Sequence, residues 1–179
     1  MTMLYFVTSN RHKYEEIQKM TRIPIEQKRL GYPEIQADTL EAVAEFGIEF
    51  CYSQLKTPCF IEDSGLFVDA LSGFPGVYSS YVFKTLGCEG ILKLLGKNKN
   101  RKAHFKSVIA YKTEKETTLF TGEVTGYITE TQKGEKGFGF DPLFIPEGKS
   151  KTFAQMDAEE KNLYSHRGKA FKTFIKYIE

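Results

Sequence analysis

Residues 61–82, IEDSGLFVDALSGFPGVYSSYV, constrain the chain more than any other stretch. A short apolar run, Pro58-Cys59-Phe60-Ile61, ends in the adjacent carboxylates Glu62 and Asp63, and Ser64-Gly65 reads as an immediate turn. A buried strand that delivers acids to a loop at its carboxyl edge belongs to an open α/β sheet, where ligands bind outside the strand ends. Leu66-Phe67-Val68 and Ala70-Leu71 are apolar again, and Gly73-Phe74-Pro75-Gly76 demands a rigid, closely approaching turn. The acids are therefore pinned between two buried segments. Such a pair suits magnesium, which takes one or two carboxylates and completes its shell with water and phosphate oxygens. A solvated acidic turn is the competing reading.

The rest of the chain supplies the frame. Residues 3–7 are apolar, and residues 11–20 carry Tyr14, Ile17 and Met20 at helical spacing, so the opening reads strand, loop, helix. The loop Thr8-Ser9-Asn10, with Lys13 in the first turn, has the make-up of a phosphate cradle. Plain N-capping by Ser9 or Asn10, with Lys13 solvated, is the alternative. Residues 23–25 and 29–32 read as strand and connector, and Glu34, between Pro33 and Ile35, faces either a site or solvent. Asp38 and Glu41 form an apparent capping box for a helix whose stripe is Leu40, Val43, Ala44, Gly47, Ile48, Cys51 and Leu55. Residues 77–83 and 89–95 read as helical, with breaks at Gly87 and Gly96.

Residues 103–111 and 117–128, rich in β-branched and aromatic side chains, make a hairpin across a charged connection. A parallel opening joined to an antiparallel pair gives a mixed sheet. In the later loop GEKGFGFD, Phe138 and Phe140 flank Gly139, and Asp141 before Pro142 is expected to be extended. That loop is either a packed turn or a stacking platform for a base. The final helix, residues 165–177, has Ser165 as N-cap and buries Phe171, Phe174, Ile175 and Ile178. His166 and Arg167 then occupy its first turn, where a cation opposes the helix dipole, which suggests an anionic or electron-rich partner. Lys161 lies on the preceding helix, and a solvated basic face is the other reading.

Composition narrows the partners. The 179 residues fit a single domain spanning residues 1–179, and 25 basic against 23 acidic residues leave a formal charge of +2. That balance announces neither a stable nucleic-acid partner nor a membrane. The apolar stretches fall far short of the roughly 18 residues a span needs. The first residues lack the pattern of a signal peptide, so a cytoplasmic location is expected. Cys51, Cys59 and Cys88 match no zinc or disulfide spacing and read as reduced core thiols.

Taken together and in order, five motifs resemble the Ham1/ITPase family of nucleoside triphosphate pyrophosphatases, which remove inosine and xanthosine triphosphates. They are TSNRHK at residues 8–13, PEIQ around Glu34, EDSGLFVDALSGFPGVYS from Glu62, GFGFDPLF from Gly137, and FAQM with EEKNLYSHR ending at Arg167. The resemblance covers nearly the whole length. It implies an α/β fold in which a central mixed, twisted sheet is flanked by helices, with two lobes and a cleft between them. It also implies hydrolysis of the bond between the α and β phosphates. By resemblance, Glu34 and Asp63 hold Mg2+ with Glu62 nearby, and Asp63 is the proton acceptor that activates water. Thr8, Ser9, Asn10, Lys13 and Ser64 grip the phosphates, and Lys13 joins Asp63 in the catalytic machinery. Phe138 and Phe140, with Gly139 and Asp141 in the same loop, hold the purine. Phe140 stands where many relatives carry tryptophan or tyrosine. Lys161, His166 and Arg167 read the keto edge, and donors there would be left unpaired against adenine. Sites built on such contacts reject the wrong partner by about 10⁴ to 10⁵. A homodimer is implied as well, with residues 73–81 as the suspected interface. The alternative is a nucleotide- or RNA-binding module without turnover. Glu62 and Asp63 weaken it, because acids repel a phosphate backbone unless a metal intervenes.

Overall fold

The computed structural model describes residues 3–33 and 35–179. Its strands are β1 (Leu4–Val7), β2 (Ile25–Lys28), β3 (Cys59–Val68), β4 (Lys102–Lys112), β5 (Thr117–Ile128) and β6 (Phe144–Pro146). Its helices are α1 (Arg11–Gln18), α2 (Leu40–Leu55), α3 (Ser79–Thr85), α4 (Gly87–Leu95), α5 (Ala158–Tyr164) and α6 (His166–Ile178). The strands form one sheet in the order β2-β1-β3-β4-β5-β6. β1 runs parallel to β2 and β3, while β3, β4, β5 and β6 pair antiparallel in turn, so the sheet is mixed as expected.

Strand alternation decides what each face buries. In β3, Cys59 and Ile61 pack with Val7 and Val108 against the α2 stripe of Leu40, Ala44, Ile48 and Cys51. Phe60 points the other way, stacked on Phe6 at 4.5 Å and touching Phe174 of α6 at 4.9 Å. Farther along that second face, Leu66 and Val68 join a separate cluster with Phe105, Phe140 and Phe153. A polar gap at Glu62 and Ser64 therefore lies between two apolar clusters on one face of the sheet.

Two sequence expectations give way here. Ser64 and Gly65 form no turn; β3 continues through them in unbroken register with β4 from Cys59 opposite Lys112 to Val68 opposite Ala103. Gly65 is required for a different reason, because a Cβ there would sit 2.3 Å from the Gly76 carbonyl oxygen of the returning chain. The N-cap of α2 is Thr39, whose hydroxyl accepts from the Ala42 amide at 3.2 Å. Asp38 is one residue too early to reach that donor, and Glu41 pairs with Lys106 on β4 instead. The three cysteines are free and buried. Among the described residues, no helix is long and apolar enough to cross a membrane.

Candidate active site

β1 pairs with β3 only at Tyr5 with Cys59 and Phe6 with Phe60, and it ends at Val7. β3 runs on for eight residues beyond Phe60, so its edge from Glu62 onward is free of β1. A cavity of about 550 Å³ opens over that edge. It lies outside the carboxyl end of β1, where open α/β sheets bind ligands. Every described site candidate named from the sequence lines it. Glu34 lies outside the described residues, although Tyr32, two positions earlier, lines the same cavity.

One wall is local. The hydroxyl of Thr8 accepts from the Asn10 amide at 3.1 Å, and the Asn10 side-chain oxygen accepts from the Lys13 amide at 3.2 Å, capping α1. Ser9 is exposed beside them. Lys13 reaches across to β3, donating to the Glu62 carbonyl at 2.9 Å and pairing with its carboxylate at 3.0 Å.

The other wall is buried and assembled from distant parts of the chain. Glu62 accepts from the Ser107 hydroxyl at 2.6 Å and meets Arg167 at 3.3 Å. Arg167 also donates to Ser64 at 3.1 Å and to Glu16 at 2.6 Å. Lys161 bonds Glu16 at 2.6 Å and Asp141 at 2.7 Å. Lys161 and Arg167 are only 2% and 1% exposed, which removes the solvated-face reading. Burial pushes the Glu62 carboxyl up, but Arg167 and Lys13 overcome it and hold it well below the usual carboxylate range. Glu16 likewise stays low against burial because Arg167 and Lys161 both face it. Asp141 shares Lys161 with Glu16, and burial raises it. His166 stacks on Phe105 at 4.7 Å, and burial with the neighbouring Arg167 holds its pKa well below 6.5, so the ring is neutral. Two buried polar atoms of this wall, His166 Nδ1 and Arg167 Nε, have no hydrogen-bond partner among the described residues.

The position of α6 follows from a close contact. A Cβ at Gly122 of β5 would lie 2.1 Å from the His166 carbonyl oxygen, so the helix start rests directly on the strand. Ser165 caps α6 as expected, accepting from the Gly168 amide at 3.0 Å.

The adjacent acids are not a pair. Alternation sends Glu62 towards α6 and Asp63 towards the α2 side of the sheet, and the Glu62 side chain is fully enclosed by cations and Ser107. Expecting Glu62 beside Asp63 on one ion does not fit this geometry. Asp63 lines the cavity, half-buried, and its Oδ1 accepts from the Ser64 amide at 2.9 Å.

The aromatic loop divides as well. Phe138 is half-buried, with its ring 5.3 Å from His12 in a stacked arrangement and Lys161 Nζ 5.0 Å from its centroid. Phe140 is buried and meets Phe83 edge-on at 5.3 Å, so it forms a wall rather than an open platform. Asp141 is not extended. It opens a short 3-10 turn and folds back to accept from the Phe138 amide at 2.8 Å.

Glu16 and Ser107 belong to this wall and were missed from the sequence. Glu16 had a visible signal, because Lys13, Glu16, Ile17 and Met20 fall on one helical face, which places a carboxylate within the inward stripe.

A model of the Ham1 family matches residues 4–177. A dITP/XTP pyrophosphatase of Thermococcus kodakarensis is 55% identical, covering 98% of this chain and 97% of that protein. Another, from Pyrococcus horikoshii, is 49% identical and covers 98% and 96%. Among solved structures, the Staphylococcus aureus Ham1 protein superposes with a TM-score of 0.86 at 29% identity, covering 99% of this chain and 98% of that one. A HAM1 protein from Coxiella burnetii gives a TM-score of 0.86 at 28% identity, with the same coverage.

Proposed function

The chain belongs to the Ham1 family, and on that footing we propose that it hydrolyses the non-standard purine nucleoside triphosphates ITP, dITP and XTP. Water adds, the bond between the α and β phosphates breaks, and a nucleoside monophosphate and pyrophosphate leave. The observation that carries this reading is one cavity with two unlike walls. Hydroxyls, Lys13 and Asp63 line one side, and an aromatic ring over the buried Lys161 and Arg167, with the buried His166, lines the other. Its volume of about 550 Å³ lies in the range of small-ligand sites.

Thr8, Ser9, Asn10, Ser64 and Lys13 hold the phosphates. Asp63 accepts the proton of the attacking water. Phe138 stacks on the purine against the wall that Phe140 makes, with Gly139 and Asp141 shaping the loop. The unpartnered Arg167 Nε–H and the neutral His166 ring meet the 6-keto edge. A 6-amino group would set hydrogens against that buried N–H and leave it unsatisfied, which favours inosine and xanthine over adenine.

The Asp63 carboxylate, which lines the cavity at the edge of β3, is a hard oxygen donor. Among the described residues, no group of three or more His, Cys, Asp or Glu is placed so that it could hold a metal ion by itself. A site with one or two carboxylates, completed by substrate oxygens, suits Mg2+. Asp63 and Glu34 would hold it, and Glu62 acts as counter-ion to Lys13 and Arg167. When bound, the ion neutralises phosphate charge and lowers the pKa of a bound water.

The chain's exposed Phe74, Tyr78 and Tyr81 support a homodimer through residues 73–81, and sedimentation showing only monomer would reject it. Work on a free nucleotide pool fits a cytoplasmic location. Incubation with ITP, dITP, XTP, ATP and GTP in magnesium tests the activity itself. Pyrophosphate from the first three alone supports it, orthophosphate as first product points to a γ-phosphatase, and binding without product points to a non-catalytic module.

A further inference from the structure

We propose that Lys84 of α3 is a further substrate-binding residue, one that holds the anionic phosphate tail. This rests on the nucleotide-binding reading above but assigns a residue and an element that it does not use.

The charges that line the cavity nearly cancel one another. Four Lys and Arg side chains line it: Lys13, Lys84, Lys161 and Arg167. Three of them are engaged by carboxylates: Lys13 by Glu62, Lys161 by Glu16 and Asp141, and Arg167 by Glu16 and Glu62. Three cations against three carboxylates leave no net positive charge, and Asp63 lines the cavity as well. A triphosphate entering this space therefore meets a balanced or negative interior. Drawing the buried Lys161 or Arg167 away from its carboxylates would strand a charge in the core, which is strongly unfavourable.

Lys84 differs from the other three. It is exposed, and among the described residues its ammonium forms no ion pair or hydrogen bond. Ser80 lies one helical turn earlier and lines the same cavity, so α3 presents a hydroxyl and a cation together. The helix is fixed against the wall by the edge-on contact of Phe83 with Phe140 at 5.3 Å. On a nucleoside triphosphate the multiply charged part is the phosphate chain, which is the chemistry an uncommitted ammonium recognises.

The test uses the full chain with Lys84→Ala, Lys84→Glu and Lys84→Arg. It measures turnover of dITP in magnesium and inhibition by inorganic tripolyphosphate, which has phosphates but no base. The alanine variant is expected to raise both KM and the tripolyphosphate inhibition constant by about three- to tenfold. The glutamate variant should raise them further, and arginine should restore them, with kcat and the preference for dITP over dATP unchanged. The effect should shrink as salt is raised. Wild-type turnover with both constants unmoved in the alanine and glutamate variants overturns the role of Lys84 and leaves the proposed activity standing. A changed purine preference with an unmoved tripolyphosphate constant also overturns it, in favour of a base contact. Should the wild type fail to turn over dITP, that failure concerns the activity. Calorimetry of tripolyphosphate with wild type and Lys84→Glu then decides the role of Lys84 alone, equal affinity overturning it.

Discussion

Around Thr8 and Asn10 the cleft is lined by groups whose side chains accept hydrogen bonds from two or three residues along the chain, whereas around Lys161 and Arg167 the partners are 20 to 151 residues away, Glu16 the farthest. The first wall is partly open and needs only a strand ending and a helix beginning. The second is dry and needs the first helix, the middle of the sheet and the last two helices together. The difference teaches how one cleft serves two tasks. A flexible, highly charged phosphate chain tolerates an adjustable cradle. Reading a single keto oxygen needs donors fixed before the base arrives, because buried donors discriminate only when nothing else can satisfy them.

The largest effect should come from Glu16, the carboxylate shared by the two buried cations. Glu16→Gln strands part of that charge, and urea unfolding should show a loss of about 3–5 kcal/mol. A loss under about 1 kcal/mol, typical of exposed pairs, would erase the contrast between the walls.

A smaller effect sharpens the same contrast through pH. Burial, with Arg167 next, holds folded His166 well below its ordinary 6.5. As pH falls through 6.5 the unfolded chain takes up a proton that the folded chain refuses, so stability falls. Between pH 7 and 5 that loss is at most about 2 kcal/mol, the limit set by the unfolded value alone. Glu62, depressed in the folded state, adds its own loss only in the acid range below 4.5. His166→Phe keeps a ring against Phe105 and should flatten the pH 7 to 5 dependence of unfolding. An unchanged slope would show that this ring is not the group held neutral.

The smallest effect belongs to the open wall. Asn10→Ala removes the cap acceptor for the Lys13 amide and should lower stability by about 1 kcal/mol. A larger loss would mean that this wall too is built on long-range support.

What could be read from the sequence follows the same division. The βα opening, the α2 stripe and the long hairpin are legible because each is carried by a period of two or 3.6 residues within one segment. Ser64-Gly65 misleads because a glycine needed for the close approach of Gly76 looks the same as one needed for a turn. Glu62 and Asp63 mislead because adjacency in sequence means opposite faces once the strand runs straight through them. Asp38 competes with Thr39 for the cap, and only the true helix start decides between them. Glu16 stayed hidden as a site residue because its partners come from α5 and α6, which no local pattern connects to α1.

Chemistry at the free edge of β3 and recognition at the buried wall are separable if the cleft works as described, and Asp63→Asn tests that separation most directly. Pyrophosphate release from dITP is expected to fall by about 10²- to 10⁴-fold, while the variant still binds dITP in preference to dATP at equilibrium. Pyrophosphate release within a few-fold of the unaltered protein would contradict it.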